Sequence, residues 1–501
     1  MTSRRQDGET ARRPATLRPL IGNQRRYVHA ERFSESSYIV PMAYRFEAEL
    51  DIGRFRAAID GVFARHDALR TDFVLAEGAY HARVHEDVRY AFHQLALDAD
   101  DFEAFRARAL PIVFAPVALD DRRALFRVIL AGIGPGRWRF CFALHHSLTD
   151  GASRNQFFRE VVDLYEGRAL EPARSFYLGG AAPSLEALAA SEAHWRDWAA
   201  AGPLQLQDAP DLETTEADGP DTAMAVRELP LSGGAVRDAA RAIGASKFGL
   251  MSAAYAIGLS ARLDASDVLM GFQSAGRSGL GADMRAIGPY SNTLPLRVRV
   301  APETPFAEIA ARATAATREG LAHEALPFDA LRSVARFDSD FVINAFPSEA
   351  PFDGAAIRGA RREFLDRKTE FAFNLLWSED DGRLTARIFY DPRRRAPDRT
   401  RAFLELTARL FEAGLATPER SAAELLAEVR MPPPRPAAAP AAAVEPGGAD
   451  ALTAPFLAHA AARPNAPAVV TRDGAVSYGA LAAAARRVAR DLAALGVGAG
   501  A

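Results

Sequence analysis

Apolar residues recur at two different spacings along the first third of the chain. In LDIGRFRAAIDGVFARH, from Leu50 to His66, Phe55, Ala58, Ile59, Val62 and Phe63 fall on one face at helical spacing. That spacing predicts a helix ending near His66, and the following LRTDFV reads as the start of a strand. ALFRVILA (124–131) and RWRFCFALHH (137–146) both alternate with period two. The turn-forming GIGPG between them makes the pair a hairpin. SRNQFFREVVDLYEG then returns to helical spacing. Phe157, Phe158, Val161, Val162 and Tyr165 form its buried side, and Gly167 is its stop.

The stretch 170–222 reads as loop-rich, with a helical island around SEAHWRDWAA. A second folded unit starts near Ala223. Its predicted elements are a strand in VRELPL, a helix over 234–243 and the apolar helix GLMSAAYAIGLSARL. Strands follow in DVLMGFQS, GPYSNTLPLRVRV and GRLTARIFYD, and DRTRAFLELTARLFEAGL is an amphipathic helix. The sharpest change in composition is MPPPRPAAAPAAAVEPGGAD, 431–450, an extended Pro/Ala-rich linker. A new folded segment begins beyond it. Residues 1–17 are polar and Arg-rich, which predicts a flexible tail.

Composition adds bounds. A chain of 501 residues suggests two or three domains. A formal net charge of -3 gives no global signal for nucleic acid or a membrane surface. The one cysteine, Cys141, excludes an internal disulfide and fits a cytoplasmic location. No apolar run approaches the ~18 residues of a membrane span, and the N-terminus has no secretory h-region.

The chemistry concentrates in HHSLTDG, 145–151. Strand parity puts Trp138, Phe140, Phe142, Leu144 and His146 on one face, and Arg139, Cys141 and His145 on the other. Only one histidine then faces a given cavity. His146 follows the aromatic face, a setting that keeps an imidazole neutral and able to accept a proton. Gly151 permits a tight turn into the next helix, whose first amides point at a developing oxyanion. A satisfied core histidine is the alternative reading. A metal site needs three or four ligands at compatible spacing, which the scattered histidines do not supply. HHSLTDG also lacks the nucleophile elbow of a serine hydrolase.

HHSLTDG resembles the HHxxxDG motif of nonribosomal peptide synthetase condensation domains. Four more blocks resemble that family's in order and spacing: RHDALRTDF (65–73), the GR of FQSAGR (272–277), IGPYSNTLPLR (287–297) and HEALPFDAL (323–331). The likeness covers about residues 18–430. The segment after the linker, with RPNAPAVV and GAVSYGALAAAARRVARDLAALGVG, resembles the N-terminal edge of an adenylation domain. There are departures. In the first block, IGNQRRYV, Gln24 and Arg26 are kept, but Ile21 and Tyr27 stand where Ser and Leu are usual. Ala152 stands where Trp is frequent, and the late block ARFDSDFVINAF aligns poorly. None of these departures is expected to touch a proposed catalytic residue.

The resemblance implies an α/β fold of two chloramphenicol-acetyltransferase-like lobes, a V-shaped pseudo-dimer with a central tunnel. The implied division is an N-terminal lobe over 18–175, a C-terminal lobe over 176–430, the linker 431–450 and an adenylation fragment over 451–501. A donor acyl thioester and an aminoacyl thioester, the latter on a carrier's phosphopantetheine, would meet in the tunnel to form an amide, with no covalently bound cofactor. His146 is expected to position the amine and accept its proton or to bind the tetrahedral intermediate. His145 is expected to pack inside its lobe and Gly151 to offer its N–H. Asp150 is expected to form a structural ion pair with Arg70. Ser291 and Asn292 are expected either to line the tunnel or to serve a turn. Arg154 would meet phosphate or pantetheine, or be a plain surface arginine. The implied partners are a downstream aminoacyl carrier, the adenylation domain in the same chain, and a donor that is acyl-CoA or an upstream carrier. The condensation unit opens the sequence, so a starter role with acyl-CoA is expected, with an internal elongation role or a non-catalytic recruiting role as alternatives.

Overall fold

The computed structural model describes residues 16–33, 38–178, 183–200, 223–277, 285–335, 341–345, 354–365, 371, 373–380, 382–429, 454–471 and 474–494. The chain forms two compact units, Met1–Pro433 and Pro434–Ala501. The tail before Thr16 and the linker lie outside the described residues. Thr16–Pro19, partly assigned to the tail from sequence, is instead a strand paired antiparallel with Ala79–Val84.

The first unit holds two α/β lobes. In the first, a five-stranded sheet runs Arg358–Glu363, Ile39–Glu47, Arg137–His145, Phe126–Gly132, Ala91–Ala96. The predicted hairpin is its centre, pairing Phe126 with Leu144 and Gly132 with Trp138. Both faces of the histidine strand Arg137–His145 are covered. Phe140, Phe142 and Leu144 pack with Phe55, Phe63, Phe157 and Phe158 from the helices Ile52–Arg65 and Gly151–Tyr165. Cys141 and Ala143 pack with Phe105 and Ala109 of the helix Phe102–Val113 on the other face. Burial pushes the Cys141 thiol up, so it stays protonated and inert. The helix Ile52–Arg65 buries the five residues its spacing predicts, is capped by the Asp51 side chain on the Arg54 N–H, and ends at His66.

The second lobe is built on a six-stranded sheet in the order Asn292–Arg299, Asp267–Ser274, Phe341–Ala345, Phe373–Asp380, Arg383–Tyr390, Ala223–Leu229. The apolar helix Lys247–Leu263 is buried along most of its length, between this sheet and Pro397–Ala416. Among the described residues no single helix is long and apolar enough to cross a membrane.

The lobes are not contiguous segments. Arg358–Glu363, inside the stretch assigned to the second lobe, adds an edge strand to the first lobe's sheet beside Ile39–Glu47. Its Glu363 reaches Arg139 of the histidine strand at 2.8 Å. In the second unit, an antiparallel pair (Pro467–Thr471 with Gly474–Ser477) lies in sequence between the helices Ala454–Ala462 and Tyr478–Ala494.

Candidate active site

The histidine strand stops one residue earlier than its alternation suggests. Its ladder with Ile39–Glu47 ends at the pair Ile39–His145, and the His146 N–H still reaches the Tyr38 carbonyl at 2.8 Å. The partner strand has then run out, and His146–Leu148 turns into one 3₁₀ turn. His145 caps that turn. Its Nδ1 accepts from the Ser147 N–H at 3.3 Å and lies 2.6 Å from the Ser147 hydroxyl. With Nδ1 accepting, Nε2 carries the proton and donates to Glu31 at 3.2 Å. Glu31 also accepts from the Tyr38 N–H at 2.7 Å. His145 is thus a fully buried brace within its own lobe.

His146 sits beside it, 9% exposed, with its ring stacked on Tyr27 at 4.3 Å between centroids and 15° between planes. Tyr27 belongs to the helix Gln24–Phe33. One turn earlier Gln24 donates to the Ser147 carbonyl at 3.0 Å. The first block therefore touches the histidine turn twice. This corrects the expectation that its departures lie away from the catalytic residues: Tyr27, where Leu is usual, covers a face of His146.

Asp150 makes a different ion pair from the one expected. Its partner is Arg277, with N–O distances of 2.7 and 3.3 Å, both side chains being buried. Oδ2 also accepts from the N–H groups of Tyr290 and Ser291 at 3.0 and 3.1 Å, and Oδ1 from Ser153 N–H at 2.8 Å as a helix cap. Arg70 instead donates to the His85 carbonyl within its own lobe. The hairpin Thr71–Ala76 with Ala79–Val84 brings that carbonyl across from it, whereas Arg277 arrives from the second lobe through the left-handed Gly276, φ +65°. A Cβ at Gly276 would fall 1.7 Å from the Tyr290 carbonyl, so only glycine fits. Arg277 donates further to Ser153 Oγ and the Ala286 carbonyl, and its guanidinium lies 4.4 Å over the Tyr290 ring. With both oxygens engaged, Asp150 holds the lobes together and has no free lone pair aimed at a substrate.

Gly151 is the first residue of the helix Gly151–Tyr165, where an N–H has no intrahelical acceptor. Arg154 lies in that helix's first turn and is 3% exposed, so it is not a surface arginine. Asn292 is buried, and its side-chain amide is engaged at both ends. Its Nδ2 donates to the Glu324 and Leu326 carbonyls at 3.0 and 2.8 Å, and its Oδ1 accepts from Thr293 N–H and Asn23. It serves as a buried brace. Ser291 is half-buried, its N–H held by Asp150 and its carbonyl by Asn23 at 2.8 Å. Sequence reasoning missed Arg277, Tyr27, Glu31 and Asn23. The GR segment and the first block carried the signal for three of them, but spacing alone does not pair residues from opposite lobes.

Residues 16–428 match the family described as "Condensation domain". The chain is 28% identical over 543 aligned positions to the probable non-canonical nonribosomal peptide synthetase CymA of Salinispora arenicola, covering 98% of this chain and 7% of that protein. It is 25% identical to surfactin synthase subunit 1 of Bacillus subtilis, covering 96% of this chain and 14% of that one. The chain thus spans a small fraction of the curated relatives it matches. Among solved structures, the starter condensation domain of rhizomide synthetase, in complex with C8-CoA and Leu-SNAC, superposes with a TM-score of 0.68 at 21% identity. That match covers 81% of this chain and 96% of the other.

Proposed function

Because the chain belongs to the condensation domain family, whose members form amide bonds, we propose that it transfers an acyl group from acyl-CoA to the α-amine of a carrier-bound aminoacyl thioester. The observation that carries the reading is the state of the histidine turn. His145 and Asp150 are spent on structure, which leaves His146 as the imidazole beside the developing amide. A thioester is already activated, and holding it against an amine supplies most of the rate, since effective molarities reach about 10⁵ M or more. His146 positions the amine and takes its proton, or donates to the tetrahedral oxyanion. Gly151 offers its N–H at the helix start. The amine attacks the thioester carbonyl, the C–S bond breaks, and the thiol leaves with the proton.

The starter role draws on one further parallel. In the solved rhizomide starter domain, the residues exchanged for alanine are a histidine and an arginine eight positions apart. His146 and Arg154 have the same separation here. An arginine buried in the first turn after the motif suits the phosphate or pantetheine of a donor. We read residues 451–501 as the edge of an adenylation domain, consistent with alignments to multi-enzyme synthetases that take in nearly the whole chain. The acceptor is then a carrier of the same cytoplasmic assembly.

The test is a mass-spectrometric condensation assay. The protein receives an aminoacyl carrier together with acyl-CoAs of several lengths or a peptidyl carrier, with folded His146→Ala as the control. Product from acyl-CoA that is lost in the control supports the starter reading. Product from the carrier donor alone replaces it with an internal elongation role.

A further inference from the structure

Two neighbouring cavities lie along the first lobe, outside the histidine turn, the second of them closed on one side by Arg285 and Ala286 of the second lobe. One, of about 280 Å³, is lined by Arg18, Arg65 and Arg70 with Asp67, Ser175 and Tyr177. The other, of about 220 Å³, is lined by Arg65, Arg159, Arg174 and Arg285 with Glu160, Asp163 and Glu171, four guanidiniums to three carboxylates. They share Arg65 and Ala173. Six arginines thus face two adjoining hollows, contributed by the strand Thr16–Pro19, the helices Ile52–Arg65 and Gly151–Tyr165, and the loops around them.

The carboxylates there do not neutralise these arginines one for one. Asp67 is turned to its own loop, accepting from the N–H groups of Ala68, Phe176 and Tyr177 and from the Ser175 hydroxyl. Glu160 is held by His66 and Arg65, and Asp163 by Arg168. The side chains of Arg18 and Arg159 have no hydrogen bond or ion pair among the described residues. Their charges face the hollows uncommitted. One side chain links the wall of the first cavity to the histidine turn. The Gln24 amide donates to the Tyr177 hydroxyl at 2.9 Å and to the Ser147 carbonyl at 3.0 Å.

We propose that these two arginine-lined cavities bind the phosphates of the donor, one the 5′-diphosphate and the other the 3′-phosphate of coenzyme A. The inference rests on the acyl-CoA reading above. Guanidinium groups match phosphate oxygens in geometry as well as charge. Two hollows sharing a wall suit a ligand with two phosphate groups, whereas a carrier's pantetheine arm has a single phosphodiester.

The test compares octanoyl-CoA, octanoyl-dephospho-CoA, octanoyl-pantetheine and an octanoyl carrier as donors, with the wild type and with Arg18→Gln, Arg159→Gln and the double variant. Melting curves confirm folding, which neither arginine supports through an ion pair. Charge-assisted bonds predict that the wild type favours octanoyl-CoA over octanoyl-pantetheine by about tenfold or more in kcat/KM, and that the double variant removes this preference. The octanoyl-dephospho-CoA arm assigns each phosphate to one cavity. Equal use of both donors by the wild type, or a preference that survives in the double variant, overturns the proposal. Calorimetric titration of coenzyme A itself separates the two readings. If only the carrier is a donor, the starter reading falls. Binding of coenzyme A that weakens at least about tenfold in the double variant still supports the phosphate cavities, and no binding to the wild type overturns them as well.

Discussion

The Asp150 knot and the His145–His146 turn are adjacent in sequence and opposite in design. In the knot, both carboxylate oxygens and most of the Arg277 guanidinium are bonded to groups from the two lobes. At the turn, His145 is bonded at both ring nitrogens, while the His146 N–H reaches the Tyr38 carbonyl and its ring stacks on Tyr27. The difference shows how the motif divides its labour. The knot ties one lobe to the other, and the turn sets the imidazole of His146 against an aromatic face within its own lobe.

The largest effect should come from breaking the knot. Asp150→Ala leaves the Arg277 guanidinium buried with its counter-charge gone, which costs about 3–5 kcal/mol. Denaturant unfolding should show that loss, with activity falling because less protein is folded. Replacing both partners, as in Asp150→Ala with Arg277→Met, should cost less than the sum of the single changes. An additive double variant would mean that the two residues are not coupled, and the division between the regions would collapse.

His146→Ala sharpens the comparison from the other side. Its removal takes away a ring stack worth about 0.5–1.5 kcal/mol but strands no buried counter-charge, so the unfolding midpoint should move less than in Asp150→Ala. Condensation should fall by about 10²-fold or more if the imidazole handles the proton. A variant that melts like the Asp150→Ala protein would show that His146 is structural as well.

Much of this was legible in the sequence, and what was missed has physical causes. The face of Ile52–Arg65, the hairpin and the parity of Phe140, Phe142 and Cys141 followed from periodicity, because each element buries what its spacing groups together. The partner of Asp150 did not follow. Arg277 lies 127 positions away, and only the fold places it there. The strand Arg358–Glu363, RGARRE, also gave no signal. It is rich in charge, pairs at a sheet edge and has an irregular register, so alternation is absent. The end of the histidine strand was missed because a turn capped by the side chain of His145 looks in sequence like continued alternation.

An acid titration tests whether the far end of the motif helix belongs with the knot. Glu160 is buried, which pushes its carboxyl up, but bonds from His66 and Gln156 and the nearby Arg65 charge outweigh burial and hold it below its ordinary value. The unfolded chain then binds the proton more readily. The resulting stability is present above the ordinary carboxylate value of about 4.3 and is lost as pH falls through the lower folded value. Melting temperature should therefore drop below about pH 4, and Glu160→Gln should flatten that drop. An unchanged slope would remove Glu160 from the structural group.

The smallest expected effect bears most directly on the turn. Tyr27→Leu restores the residue usual in the family and removes the stack on His146. A stacked aromatic pair is worth about 0.5–1.5 kcal/mol, and here it fixes the orientation of the imidazole. Losing it should lower kcat by at most about tenfold while KM for the donor stays put. Tyr27→Phe keeps the ring and should retain the rate. If Phe behaves like Leu, the hydroxyl rather than the ring matters. If neither changes kcat, the stack only fills space, and His146 owes its position to the turn that His145, Ser147 and Gln24 already hold.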